Sequence, residues 1–158
     1  MSISINREKL KTYAFSILVP LLLGAAVGLL TTRTMHYDAL IKPALAPPSL
    51  LFPIAWSILY TLMGISHGRL KWNRLSTPDT ETIYYAQLIV NLIWPILFFS
   101  LEWRLFAFIW IILLDILVIT MTLKFYQKDK IAGLLQIPYC LWVIFASYLN
   151  LATYLLNR

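Results

Sequence analysis

The sequence contains one cysteine, two histidines, five glycines and seven acidic residues, and each scarcity closes off a class of function. Cys140 has no intramolecular partner, so no disulfide framework holds this fold, and the redox compartment stays open. His36 and His67 stand at opposite ends of one long apolar run, which keeps them from sharing a haem or a metal ion within one molecule. No metal site is therefore expected. No lysine lies in the middle of an apolar run to carry a retinal Schiff base. A glycine-rich phosphate loop and a convincing Ser/His/Asp set are also missing.

Apolar residues fill the space these leave: 60% of the 158 residues are hydrophobic and 13% are charged, a membrane composition. Stretches free of Asp, Glu, Lys and Arg cover residues 12–32, 43–68, 82–101 and 131–157, and a fifth, 105–123, is broken only by Asp115. Each holds about 20 helical residues, enough for about 30 Å of hydrocarbon. A helix satisfies its own backbone polar groups where lipid cannot. The expected fold is an all-α membrane protein, a single five-helix transmembrane domain over residues 1–158 with spans near 12–32, 48–69, 82–101, 105–124 and 133–156. The first run is long for the apolar region of a signal peptide, and "GLLTTRT" offers no small-x-small cleavage site, so it counts as helix 1.

Five spans place the N-terminus with loops 2 and 4, and the C-terminus with loops 1 and 3. The first set carries nine Lys and Arg residues and the second four. The positive-inside rule then puts the N-terminus in the cytoplasm and the C-terminus outside. The same asymmetry accounts for the net charge of +6, so no nucleic-acid partner is needed.

Loops 2, 3 and 4 ("KWNRLSTPDTE", "EWR", "KFYQKDK") are short and polar, as antiparallel helix hairpins require. The loop from Arg33 to Leu50 is longer and carries Pro43, Pro47 and Pro48, which fix their own torsions and extend the residues before them. Two readings stand: a proline-rich approach to helix 2, or a semi-rigid lid over a cavity between helices. In helix 1, Gly24 and Gly28 flank "AAV" at the small-xxx-small spacing that lets helix backbones approach. Packing inside one bundle is its commoner use, and homodimerisation the other.

The six tryptophans and nine tyrosines divide by position. Trp72, Trp103 and Tyr154 at span ends make an interfacial belt, while Trp56, Trp94, Trp110 and Trp142 fall within spans. At about 1.5 Å per residue, Trp56 lies about 9 Å and Trp94 about 10 Å below the outer edge, with Trp142 deeper. Helical spacing groups Trp56 with Tyr60 and Met63, Asn91 with Trp94 and Phe98, and Trp142 with Phe145, Ala146 and Leu149. Such stripes are more often packing than a site. Asn91 favours a site, because an amide near the bilayer centre needs a partner and can donate and accept towards a ligand. Asp115 is the one acid inside a span; it serves either as a proton relay or as a protonated group bonded to a neighbouring helix.

Taken together, "HYDALIKPALAPP", "WSILYTLMG", "NLIWPILFF" and "PYCLWVIFASYLN" resemble the TspO/MBR family of bacterial tryptophan-rich sensory proteins and the mitochondrial translocator protein, the peripheral-type benzodiazepine receptor. The resemblance implies a five-helix membrane protein, in a bacterial plasma membrane, whose first loop closes a pocket for porphyrins and for isoquinoline carboxamide or benzodiazepine-type ligands. No cofactor is required; protoporphyrin IX would be a ligand. Trp56, Tyr60, Asn91, Trp94, Trp142, Ala146 and Leu149 match the family's pocket positions. Phe98, Pro47 in the loop, and Ala25 to Val27 on helix 1, with Ala26 at their centre, join them.

The family usually has tryptophan where this chain has His36 and Leu45, and Pro53 stands one place further from Trp56 than in the usual order. The cholesterol-recognition pattern of animal members can be traced through Leu149, Tyr154 and Arg158, but it is permissive, and cholesterol is not an expected partner. By resemblance, three functions are open: porphyrin binding and sensing, transport, and light- and oxygen-dependent breakdown of protoporphyrin IX with Trp56 and Trp142 as the catalytic candidates. The absence of an internal repeat and of paired intramembrane charges argues against alternating-access transport.

Overall fold

The computed structural model describes residues 2–33, 36 and 39–158, with the side chains of residues 2–5 outside the described set. Of the loop residues considered above, Tyr37 and Asp38 fall outside it as well. The described secondary structure is wholly helical: α1 (Ser2–Thr32), α2 (Leu51–Trp72), α3 (Pro78–Pro95) running into a π-helical turn (Ile96–Ser100), α4 (Arg104–Lys128), α5 (Lys130–Leu134) and α6 (Ile137–Leu156).

Local chemistry sets the helix ends. Thr77 and Thr80 form a reciprocal capping box at the start of α3, each side chain accepting from the other's backbone N–H, with Pro78 in the first turn. Glu102 adopts φ 55° in the short connection to α4, and α2 starts at Leu51, where the Leu51 N–H reaches the Pro48 carbonyl at 2.9 Å. The region of the expected fifth span, 133–156, consists of a single turn, α5, followed by α6. Asp129 caps the single turn of α5 by accepting from the Ala132 N–H at 3.0 Å, and the chain resumes as α6 with Pro138 in its first turn. Pro138 has no N–H to donate and its ring crowds the carbonyl four residues back, which disfavours a regular helix across residues 134–138, although α1 does run on through Pro20.

Among the described residues, four stretches are long and apolar enough to cross a membrane: Asn6–Thr32, Pro78–Ser100, Arg104–Lys128 and Lys130–Leu156. The expected fifth, α2, falls outside that set because Trp56, Ser57, Tyr60, Thr61, Ser66 and His67 dilute its 22 residues. It is nevertheless one of the long helices of the bundle. α1 packs on α2, α3 on α4 and α4 on α6, and contacts between α1 and α3 and between α2 and α6 close the ring. The molecule is thus an all-helical bundle of membrane type. Apolar side chains also cover its outside, among them Phe15, Leu22, Leu29 and Leu30 on α1 and Ile109 and Ile116 on α4, as a lipid-facing surface requires.

Glycines set how closely α1 and α2 approach. A Cβ on Gly24 would fall 2.1 Å from the Tyr60 ring, and one on Gly64 would fall 2.4 Å from the Ile17 backbone, whereas one on Gly28 would meet nothing within 4 Å. Gly24 therefore serves packing within the molecule. At the end away from residues 33–50, Arg69 donates to Asp129 at 2.8 Å and the Ser66 hydroxyl donates to the Ala132 carbonyl at 2.6 Å, tying α2 to the α4–α5 corner. Burial would raise the Asp129 carboxyl, but hydrogen bonds from Arg69 and the Ala132 N–H outweigh it and hold the group below the usual carboxylate range.

Gly64→Ala is expected to destabilise the protein by about 1–3 kcal/mol, since backbone rather than a flexible side chain blocks the new methyl. Gly28→Ala should be neutral, or stabilising by up to about 1 kcal/mol through helix propensity. Thermal unfolding of both variants in one detergent checks the contrast.

Candidate functional site

At the end of the bundle where α1 is joined to α2, the described residues 41–48 bond to the last turns of the chain. Pro43 and Pro47 are buried, while Pro48 is exposed. Residues 43–46 form a turn, with the Ala46 N–H on the Pro43 carbonyl at 3.1 Å and Leu45 at φ 66°, a left-handed conformation that glycine adopts more readily than leucine. α6 holds the loop at two points. The Asn157 side chain accepts from the Ile41 N–H at 2.9 Å and donates to the Ile41 carbonyl at 3.0 Å; the Tyr148 hydroxyl donates to the Ala44 carbonyl at 2.9 Å. The proline segment leads directly into α2 at Leu51, and its Pro43 lines a cavity beneath it.

That cavity is small, walled by Pro43 and Phe52, by Trp94, Phe98 and Phe99 of the α3 segment, and by Ala146, Leu149, Asn150 and Thr153 of α6. Its free volume is about 20 Å³, roughly one water. Trp94 stacks on Phe98 with ring centroids 5.3 Å apart and donates its indole N–H to Asn150 at 3.0 Å. The π-helical turn follows Pro95, which cannot donate a backbone hydrogen bond, and with it the consecutive residues Phe98 and Phe99 both reach the cavity. Trp142 meets Phe52 edge-on at 6.2 Å, and its buried indole N–H has no partner among the described residues.

Deeper between α2, α3 and α6 is a polar ladder. The Tyr60 hydroxyl donates to Asn91 Oδ1 at 2.7 Å, Asn91 Nδ2 donates to the Tyr139 hydroxyl at 2.6 Å, and that hydroxyl donates to Gln87 Oε1 at 2.7 Å. Gln87 Nε2 reaches Met63 Sδ at 3.4 Å. Trp56 stacks on Tyr60 at 5.4 Å and stands edge-on to Tyr139 at 6.1 Å.

The residues singled out from the sequence thus fall into three groups. Trp94, Phe98, Ala146 and Leu149 wall the cavity beneath the loop that contains Pro47, and Trp142 adjoins it through Phe52. Trp56, Tyr60 and Asn91 belong to the adjoining ladder, where Asn91 engages Tyr60 and Tyr139 before any ligand. Ala26 lies apart on an exposed face of α1, two residues round from Gly24, the position that touches Tyr60. Asp115 accepts from the Ser147 hydroxyl of α6 at 2.7 Å through Oδ2, while its Oδ1 is buried without a partner among the described residues. Phe52, Phe99, Asn150, Thr153, Gln87 and Tyr139 were not anticipated. For Gln87 and Asn150 the signal was present, since an amide within a span demands the same explanation as Asn91.

An all-helical bundle with apolar outer faces defines a multi-pass membrane protein of helical type. The chain belongs to the TspO/MBR family, whose model matches residues 16–155. It is 40% identical over 146 residues to the tryptophan-rich protein TspO of Archaeoglobus fulgidus, covering 90% of this chain and 94% of that protein. Identity to the tryptophan-rich protein TspO of Chlorobaculum tepidum is 34% over 155 residues, covering 95% and 98%. Identity to the human translocator protein is 30% over 139 residues, covering 81% and 80%.

Asn91→Leu should lower stability without any ligand present, by about 1–3 kcal/mol, because it leaves the Tyr60 hydroxyl buried and unpaired. Adding Tyr60→Phe should recover part of that loss. Unfolding midpoints of the single and double variants in detergent measure both effects.

Proposed function

We propose that this chain binds a flat hydrophobic ligand, of which protoporphyrin IX is the type suggested by the family resemblance, between α2, α3 and α6 beneath residues 41–48. α2 would be the fifth membrane crossing, with the N-terminus in the cytoplasm, the C-terminus outside and the host membrane a bacterial plasma membrane. Relatives are named for sensing and for translocation, and binding is the step common to both. The observation that carries the reading is the buried Pro43, held against Trp94, Phe98, Ala146 and Leu149 by a loop that α6 bonds in place.

Drug-sized ligands occupy pockets of about 300–1,000 Å³. The cavity of about 20 Å³ therefore represents a closed state, and admission of a ligand displaces the loop or the rings below it. Trp142 supports the reading further: its unpartnered indole N–H is a donor available to a ligand carbonyl or carboxylate. Isoquinoline carboxamide and benzodiazepine-type compounds carry such carbonyls. Nothing among the described residues favours transport or photochemical breakdown over binding.

Protoporphyrin IX added to the protein in detergent is expected to quench tryptophan fluorescence, and an isoquinoline carboxamide to restore it by competition. Non-competing sites would refute a single pocket. Trp142→Phe should weaken the carboxamide about tenfold, the worth of one hydrogen bond of about 1.4 kcal/mol, and leave a ligand without acceptors nearly unaffected.

A further inference from the structure

In the half of the bundle away from the loop, the Tyr84 hydroxyl and both polar atoms of the Gln136 side chain, like the Ser16 hydroxyl on α1, are buried with no hydrogen-bond partner among the described residues. Tyr84 is 1% exposed and Gln136 not at all. Tyr84 precedes Gln87 by three residues on α3, and Gln136 precedes Tyr139 by three at the head of α6. Each therefore stands one turn further from the loop end, on the helix face that carries the Tyr139–Gln87 hydrogen bond. Beyond them, the His67 ring stacks on Tyr84 with centroids 3.8 Å apart, and His67 Nε2 meets Glu81 Oε1 at 2.8 Å. The Glu81 side chain is 28% exposed and also contacts Lys71 and Ser76.

Polar groups thus run from a solvent-reachable carboxylate to the ladder beside the pocket, with one gap, and the gap is where the unpartnered atoms stand. A buried amide or phenol without partners is costly. Proteins meet that cost with internal water, which typically makes about three hydrogen bonds to such groups. We propose that Tyr84 and Gln136 form a binding site for buried water. The water joins the Gln87–Tyr139–Asn91–Tyr60 ladder to the His67–Glu81 pair and gives the floor of the pocket a hydrated connection to the end of the bundle opposite the loop. The Asn91 amide has no hydroxyl through which to hand on a proton, so the connection carries hydration, not protons, past Tyr139. The site does not depend on which ligand fills the pocket.

Two measurements on the full chain in detergent test this. Gln136→Met and Tyr84→Phe remove the polar atoms while roughly keeping shape. If water bonds both, each should lower the unfolding midpoint by about 2–4 °C, and the double variant should lose less than the sum because the two share a water. A rise in midpoint for either, the response of a polar atom that is truly unpaired, would overturn the proposal. Radiolytic hydroxyl-radical labelling of the unmodified chain gives an independent answer should a variant fail to fold. Met63 and Met121 are both fully buried, but Met63 accepts from Gln87 in the ladder. Bound water predicts several-fold faster oxidation of Met63 than of Met121, and equal rates exclude the site.

Discussion

One amide joins three helices. Asn91 on α3 accepts from Tyr60 on α2 and donates to Tyr139 on α6, and the positions of the surrounding aromatic rings follow from those two bonds. In a bundle whose exterior faces lipid, burying apolar surface does little to choose one helix arrangement over another, because lipid tails are as apolar as the core. Directional bonds between a few polar groups make that choice. Tyr60 cannot rotate away without breaking with Asn91, so Trp56, stacked on Tyr60, is held as well. Gly24 extends the constraint to α1, since the tyrosine ring occupies the space where any larger residue would place its Cβ.

This division between non-directional and directional forces also explains what could be read in the sequence. The long helices were legible because lipid demands uninterrupted apolar runs, and the α3 and α6 stripes were legible because Trp94, Phe98, Ala146 and Leu149 keep helical spacing. The α5–α6 break was hidden by its apolar surroundings: Pro138 sits inside a run that composition alone reads as one span. The reach of Phe99 into the cavity was hidden too, because it accompanies a π-helical turn at Pro95 that regular spacing does not encode. Ala26 illustrates a further limit. A resemblance can nominate a stretch of helix 1, but which side of it meets the bundle is decided by where α2 makes room, and that is at Gly24.

The polar residues inside the spans divide by how their needs are met. Asn91, Asn150 and Gln87 bond to groups across helix seams, and Asp115 meets Ser147 through one of its two oxygens. Among the buried polar atoms left without a partner among the described residues, the Trp142 indole N–H is the one that stands beside the cavity through Phe52. The ligand-free protein keeps a cost there that a suitable acceptor would remove.

The clasp between Ile41 and Asn157 has a consequence for biosynthesis. Its two ends lie 116 residues apart, and ribosomes add about 5–20 residues per second. Ile41 therefore waits at least several seconds for its partner, during which α2 to α6 must be made and inserted. For most of that interval the cover has neither Asn157 nor Tyr148 to bind it, and the wall of Ala146, Leu149, Asn150 and Thr153 that α6 contributes is absent. A hydrophobic compound encountered during synthesis would meet an open half-site that the finished molecule does not present.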